Sequence, residues 1–168
     1  VSAIEEELDR ILKTRKQSRI QTIADMVIRN YGHLDEKINF YQNLRSLEDY
    51  VSRHSLNVAI LCAMITHVMN IRREEQYHTV CAALLHDMGK LKKHEDVYFG
   101  APYSREDAIR NCETQEEAYS VIEEAFATEG PAIRRICQQA AGKQLDLFPE
   151  EGKESRYKML EGSNVLLV

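Results

Sequence analysis

The sequence has no tryptophan, and its three prolines and seven glycines are too few to punctuate a chain of many short strands. Strand-like alternation is nearly missing too. Apolar side chains recur at helical spacing almost throughout. Cysteine is scarce and scattered: Cys62, Cys81, Cys112 and Cys137 form no CxxC pair, which excludes a zinc-ribbon pattern. Cys62, Cys81 and Cys137 fall within helical apolar patterns and read as reduced core residues, so a reducing, cytoplasmic compartment is expected. Basic charge is not in excess. A net charge of −5 argues against broad nucleic-acid binding through a basic face, while leaving room for one charged ligand in a local pocket. No apolar run is long enough to span a bilayer, and the opening residues do not read as a signal peptide. Repeats and low-complexity tracts are absent.

What is present reads as one all-α domain over 1–168, a compact multi-helix bundle with N-terminal helices over 1–45 and a core over 46–168. The chain lacks an initiator methionine and stops abruptly at Asn164–Val168, so we expect both ends to be cuts in a longer protein. Ile4, Leu8, Ile11 and Leu12 mark a first helix, acidic at its start and basic at its end as the helix dipole favours. Ile20, Ile23, Ala24, Val27 and Ile28 mark a second, stopped near Asn30-Tyr31-Gly32, and Ile38, Phe40, Tyr41 and Leu44 a shorter third.

The next two helices carry the chemistry. One runs from about Leu47 to Met69, with Val51, Val58, Leu61, Cys62, Ile65 and Val68 as its apolar positions. His54 sits a turn after Val51 and a turn before Val58, so it points inward, either as a core histidine bonded to a backbone carbonyl or as a ligand. The other starts near Arg73 and carries Tyr77, Val80, Cys81, Ala82, Leu84 and Leu85, apolar over so wide an arc that it must be central. It ends in His86-Asp87-Met88-Gly89-Lys90. Neighbouring side chains in mid-helix diverge by about 100°. At a C-terminus stopped by Gly89 the freer backbone lets His86 and Asp87 turn to one point.

Later features are plainer. The segment from His94 to Ser104, broken by Gly100 and Pro102, reads as a lid or an ordinary connection. Thr114-Gln115-Glu116-Glu117 reads as a helix cap, with Ala118, Val121, Ile122, Ala125 and Phe126 on the helix behind it. Gly130-Pro131 opens another helix through Ile133, Ile136, Cys137 and Ala140. Gly142–Lys153 reads as polar and exposed, and a final helix is expected from about Glu154, with Tyr157, Met159 and Leu160. His33, His67 and His78 read as surface or packing residues, whereas His94 stays a candidate neighbour of the His-Asp pair.

Tyr50-Val51-Ser52-Arg53-His54-Ser55-Leu56-Asn57-Val58-Ala59, followed about thirty residues later by Leu84-Leu85-His86-Asp87-Met88-Gly89-Lys90, resembles the HD-domain superfamily of metal-dependent phosphohydrolases. The match looks closest to the HD-GYP branch, associated with cyclic di-GMP phosphodiesterases. The resemblance implies His54, His86 and Asp87 as metal ligands for a divalent ion (Mn, Fe, Zn or Mg), with Asp87 and Lys90 as the catalytic pair and Lys90 facing a substrate phosphate. It implies a phosphorylated small molecule or nucleotide as partner and leaves a homodimer open. The chain departs from that branch after the pair. The further histidine, the His-His-Glu run and the Gly-Tyr-Pro signature are missing, and Gln138-Gln139-Ala140 stands where the run would fall. Glutamine is a poor ligand beside imidazole or carboxylate. The superfamily's late aspartate would fall just beyond Val168.

Three readings follow. One is a phosphohydrolase acting on a nucleotide or cyclic-dinucleotide phosphoester. Another is a degenerate HD module serving as a signalling, sensor or dimerisation domain. The last is a helical bundle whose His-Asp pair is only a satisfied polar contact and holds no metal.

Overall fold

The computed structural model describes residues 3–16, 19–34, 47–91, 104–146, 158–159 and 166–167. Six α-helices account for most of them: α1 (Ala3–Thr14), α2 (Ile20–Tyr31), α3 (Leu47–Val68), α4 (Arg73–Leu85), α5 (Arg105–Ala125) and α6 (Gly130–Asp146). A 3₁₀ turn, Met88–Leu91, follows α4. Two two-residue strands, β1 (Lys158–Met159) and β2 (Leu166–Leu167), pair antiparallel with Lys158 opposite Leu167. The all-α expectation holds, and the boundaries read for the first, second, fourth and fifth helices agree closely with α1 to α4.

Alpha-4 is central, packed against α2, α3 and α6. Cys81 to Leu85 are all buried, as the wide apolar arc requires. Alpha-3 is turned back onto it by a tight C-terminal motif. Asn70 takes the left-handed conformation (φ 52°), while the N–H groups of Asn70 and Ile71 donate to the carbonyls of His67 and Thr66. Those two bonds satisfy carbonyls the ending helix leaves open, and asparagine is one of the few side-chain-bearing residues that tolerates that backbone. Gln76 of α4 then donates to the Ala63 carbonyl of α3 at 3.0 Å. Alpha-5 packs on α6, and Leu8 and Ile11 of α1, Ile20 of α2, Ile122 of α5 and Ile133 of α6 close the core around α4.

Several expectations are corrected. The buried residues of α3 are Val51, Ser52, Ser55, Ala59, Ile60, Ala63 and Thr66, whereas Leu61, Ile65 and Val68 of the expected stripe are exposed. Thr114–Glu117 is no cap: α5 runs through it from an N-cap at Ser104, whose hydroxyl accepts the Asp107 N–H at 3.1 Å. Alpha-6 passes through Gly142 to Asp146, because an exposed helical glycine costs only about 1 kcal/mol, too little to end a helix packed elsewhere. Where a last helix was expected, Met159 lies in β1. The short third helix, the residues 94–103 of the expected lid, and Tyr157 and Leu160 lie outside the described residues. All four cysteines are free; Cys81 and Cys137 are buried, and burial pushes the Cys81 thiol up to about 12.

Candidate metal centre

The α-helical part of α4 ends at Leu85, four residues before Gly89, which lies in the 3₁₀ turn. His86 and Asp87 therefore lie just past the helix, where the chain changes pitch. Gly89 is needed for a reason other than stopping the helix. A Cβ there would come within 2.6 Å of Gln115 Oε1 and 2.9 Å of the Thr114 carbonyl oxygen, so only glycine lets the turn sit this close to α5. The contact is bonded: the Gly89 N–H donates to Gln115 Oε1 at 3.0 Å, and the Tyr119 hydroxyl donates to the His86 carbonyl.

This turn brings together the residues singled out in the sequence. The Nε2 atoms of His54 and His86 are 3.3 Å apart, and Asp87 Oδ2 lies 3.7 Å from the first and 3.5 Å from the second. Donor pairs at such separations suit a common ion with bonds of about 2.0–2.2 Å. His86 Nδ1 is 2.7 Å from the Ala83 carbonyl oxygen and donates to it, which leaves Nε2 as a lone-pair nitrogen aimed at His54. Lys90 Nζ donates to Asp87 Oδ2 at 2.8 Å. Among the described residues, His54, His86 and Asp87 form the only group of three or more His, Cys, Asp or Glu side chains close enough to hold an ion.

Electrostatics favours the ligating forms. Burial lowers His54 more than the Asp87 carboxylate raises it, so the ring is neutral near neutral pH. Burial alone would raise Asp87, but the nearby His86 and His54 rings and the Lys90 ammonium, which also donates a hydrogen bond, outweigh it and hold the carboxyl below its ordinary value. The side chains grade from open to closed across the site: His54 is 32% exposed and Asp87 5%. His54 is thus the more open member of that pair.

Behind the pair lies a cavity of about 40 Å³, with room for a few waters, bounded by His86, Asp87, Lys90, Asn111, Gln115, Tyr119, Ala140 and Ala141. Sequence reading missed the α5 contribution. Gln115 lies in what read as a cap, yet Asn111, Gln115 and Tyr119 stand at i, i+4 and i+8, one face of a helix. Gln115 Nε2 is 3.5 Å from Asp87 Oδ1, a long contact. Alpha-6 also differs from expectation. Gln138 is exposed and donates to Glu116 at 2.9 Å, and the site is faced by Ala140 and Ala141. His33 and His67 line a separate open groove of about 840 Å³ near the α3–α4 corner, and His78 is half-buried outside the cluster. His94 lies outside the described residues.

No described helix is long and apolar enough to cross a membrane. Comparison with curated proteins finds no match, and neither does comparison with solved structures. The family model of the HD domain matches residues 51–156, more than half of the chain, and encloses His54, His86, Asp87, all of α4 and α3 from Val51 onward. The chain therefore belongs to the HD domain family, and with it to a superfamily of metal-dependent phosphohydrolases that bind divalent ions.

Proposed function

We propose that this domain holds one divalent ion on His54, His86 and Asp87 and hydrolyses a phosphoester of the nucleotide or cyclic-dinucleotide type. The observation that carries the reading is the convergence of three ligand atoms, all within 4.8 Å of one another, at the end of a buried helix and beside a lysine. A bound ion would lower the pKa of its water and polarise the phosphoryl oxygen. The chain's own groups do the rest. His54 and His86 would offer Nε2 lone pairs, and the Ala83 carbonyl fixes the His86 tautomer. Asp87 supplies a carboxylate oxygen and orients the attacking water. Lys90 counters charge developing on the phosphate. Mixed imidazole and carboxylate ligands suit Mn, Fe, Zn or Mg unequally, and the donor set alone does not select one.

One observation favours a second reading, an HD module that has lost turnover and works in signalling, as a sensor or in dimerisation. The cavity behind the pair receives Asn111 and Gln115 from α5 and only alanines from α6. Neutral groups there add no strong ligand for a second ion. The likeness to the HD-GYP branch rests on the motif around His54 and His86-Asp87 alone.

Metal content and Mn²⁺ calorimetry, paired with hydrolysis of a panel of nucleotides and cyclic dinucleotides, test the proposal. Asp87→Ala is expected to abolish both ion binding and hydrolysis. Hydrolysis that survives this change would sink the mechanism. Ion binding without cleavage of any panel member would favour the sensor reading.

A further inference from the structure

The carboxylate of Asp87 is divided between two neighbours. Oδ1 turns to the Gln115 amide at 3.5 Å, while Oδ2 faces both imidazoles. Oδ2 is therefore the oxygen that completes the donor set, and it is already held by the Lys90 ammonium at 2.8 Å. Local chain geometry fixes that pairing. Asp87 and Lys90 are three residues apart across a 3₁₀ turn, and the Lys90 N–H donates to the Asp87 carbonyl at 3.0 Å. The pair is nearly closed to water, with side chains 5% and 11% exposed.

We propose that Lys90 is a built-in counter-cation which competes with a divalent ion for Asp87 Oδ2, so that loading the ion frees the ammonium to take an anionic phosphate group. The inference rests on the metal reading given above. A divalent ion on Oδ2 would stand within a few ångströms of the ammonium, and the two cations repel where screening by water is poor. The ion enters against Lys90 or displaces it. An ammonium lifted off Oδ2 has lost a charged acceptor, and it has three donors and no acceptor of its own. A phosphate oxygen at the ion replaces the lost carboxylate. Ion and phosphate then bind cooperatively, and by linkage each tightens the other by the same factor.

The full chain is titrated calorimetrically with Mn²⁺, with and without inorganic phosphate, beside Lys90→Met, Lys90→Arg and Asp87→Ala. Without phosphate, Lys90→Met is expected to bind Mn²⁺ at least tenfold more tightly than the parent, and Lys90→Arg no more tightly. Phosphate is expected to tighten Mn²⁺ at least fivefold in the parent and less than twofold in Lys90→Met. Equal or weaker Mn²⁺ binding by Lys90→Met would overturn the proposal while leaving the metal reading intact. Binding that is absent everywhere, or undiminished in Asp87→Ala, would remove the metal reading and this inference with it. Should Lys90→Met not fold, acetylation of the unmutated protein decides. Mn²⁺ is expected to raise labelling at Lys90 relative to the other lysines, and added phosphate to lower it again. Labelling at Lys90 that Mn²⁺ leaves unchanged counts against the proposal.

Discussion

The hydroxyl of Tyr119, midway along α5, donates to the main-chain carbonyl of His86, the residue that caps α4. The carbonyls of an ending helix have no partner in their own helix, and this one is answered from another. The bond fixes the backbone from which the His86 ring projects, so α5 helps to set the aim of the imidazole.

Tyr119→Phe should therefore keep the fold and leave a part-buried carbonyl without its donor. The expected cost is about 1–3 kcal/mol of stability. Groups that orient metal ligands typically matter roughly 10–100-fold in affinity, and a loss of that order in Mn²⁺ binding is expected. Urea unfolding and calorimetry measure the two effects. Unchanged Mn²⁺ affinity would show that the bond serves stability alone.

Gly89→Ala tests the close approach of the turn to α5. A glycine-to-alanine change at a relaxed site stabilises by about 0.4–1 kcal/mol through the unfolded chain. Here the added methyl meets Gln115 Oε1 at 2.6 Å and the Thr114 carbonyl oxygen at 2.9 Å. Overpacking of this kind costs about 1–3 kcal/mol and wins. Gln115→Ala in the same chain removes the side-chain clash and the Gly89 N–H acceptor but leaves the backbone one, so it should not restore stability. Full recovery in the double variant would show that the Thr114 backbone can give way.

Acid should weaken the fold in two steps. The His54 pKa lies below its ordinary 6.5, so the folded state favours the neutral ring. Its contribution is complete above about 6.5 and is lost as pH falls through the lowered value. The Asp87 pKa lies below 3.8, and the folded state favours the carboxylate, whose contribution is full above that value and lost as pH falls further. The urea midpoint of the parent should drop between pH 7.5 and 5.5, and His54→Asn should drop less. Equal drops would remove His54 as the source.

The sequence made the centre of this fold legible and its edges less so. Val80 to Leu85 hold six consecutive buried residues, a pattern with one interpretation. The place of His54 a turn from Val51 and a turn from Val58 predicts an inward ring, the apolar helix that ends in His86-Asp87 marks that pair by itself, and the structure brings the three together. The rest of α3 misled, because its buried face is built mostly from Ser52, Ser55, Ala59, Ala63 and Thr66. Hydropathy sees the larger Leu61, Ile65 and Val68, which face outward. On α5, Thr114 followed by Gln115-Glu116-Glu117 imitates a helix start, and only the depth of Gln115 tells otherwise. Local chemistry specified each of these elements, whereas the face each one buries was decided by its neighbours.

Ala140 and Ala141 form the α6 wall of the cavity behind Asp87, while α6 is anchored to the core through Ile133 and Cys137, about two turns and one turn earlier. The wall and the anchor are separate stretches of one helix. Exchanging the exposed Ala140 for a histidine or an aspartate would bring a new donor toward the pair, whereas Ala141 packs against the core. The donor set that faces the cavity is thus open to change by a single substitution at an exposed position. That places evolvability of the site in α6, and rigidity of the site in α4 and α5.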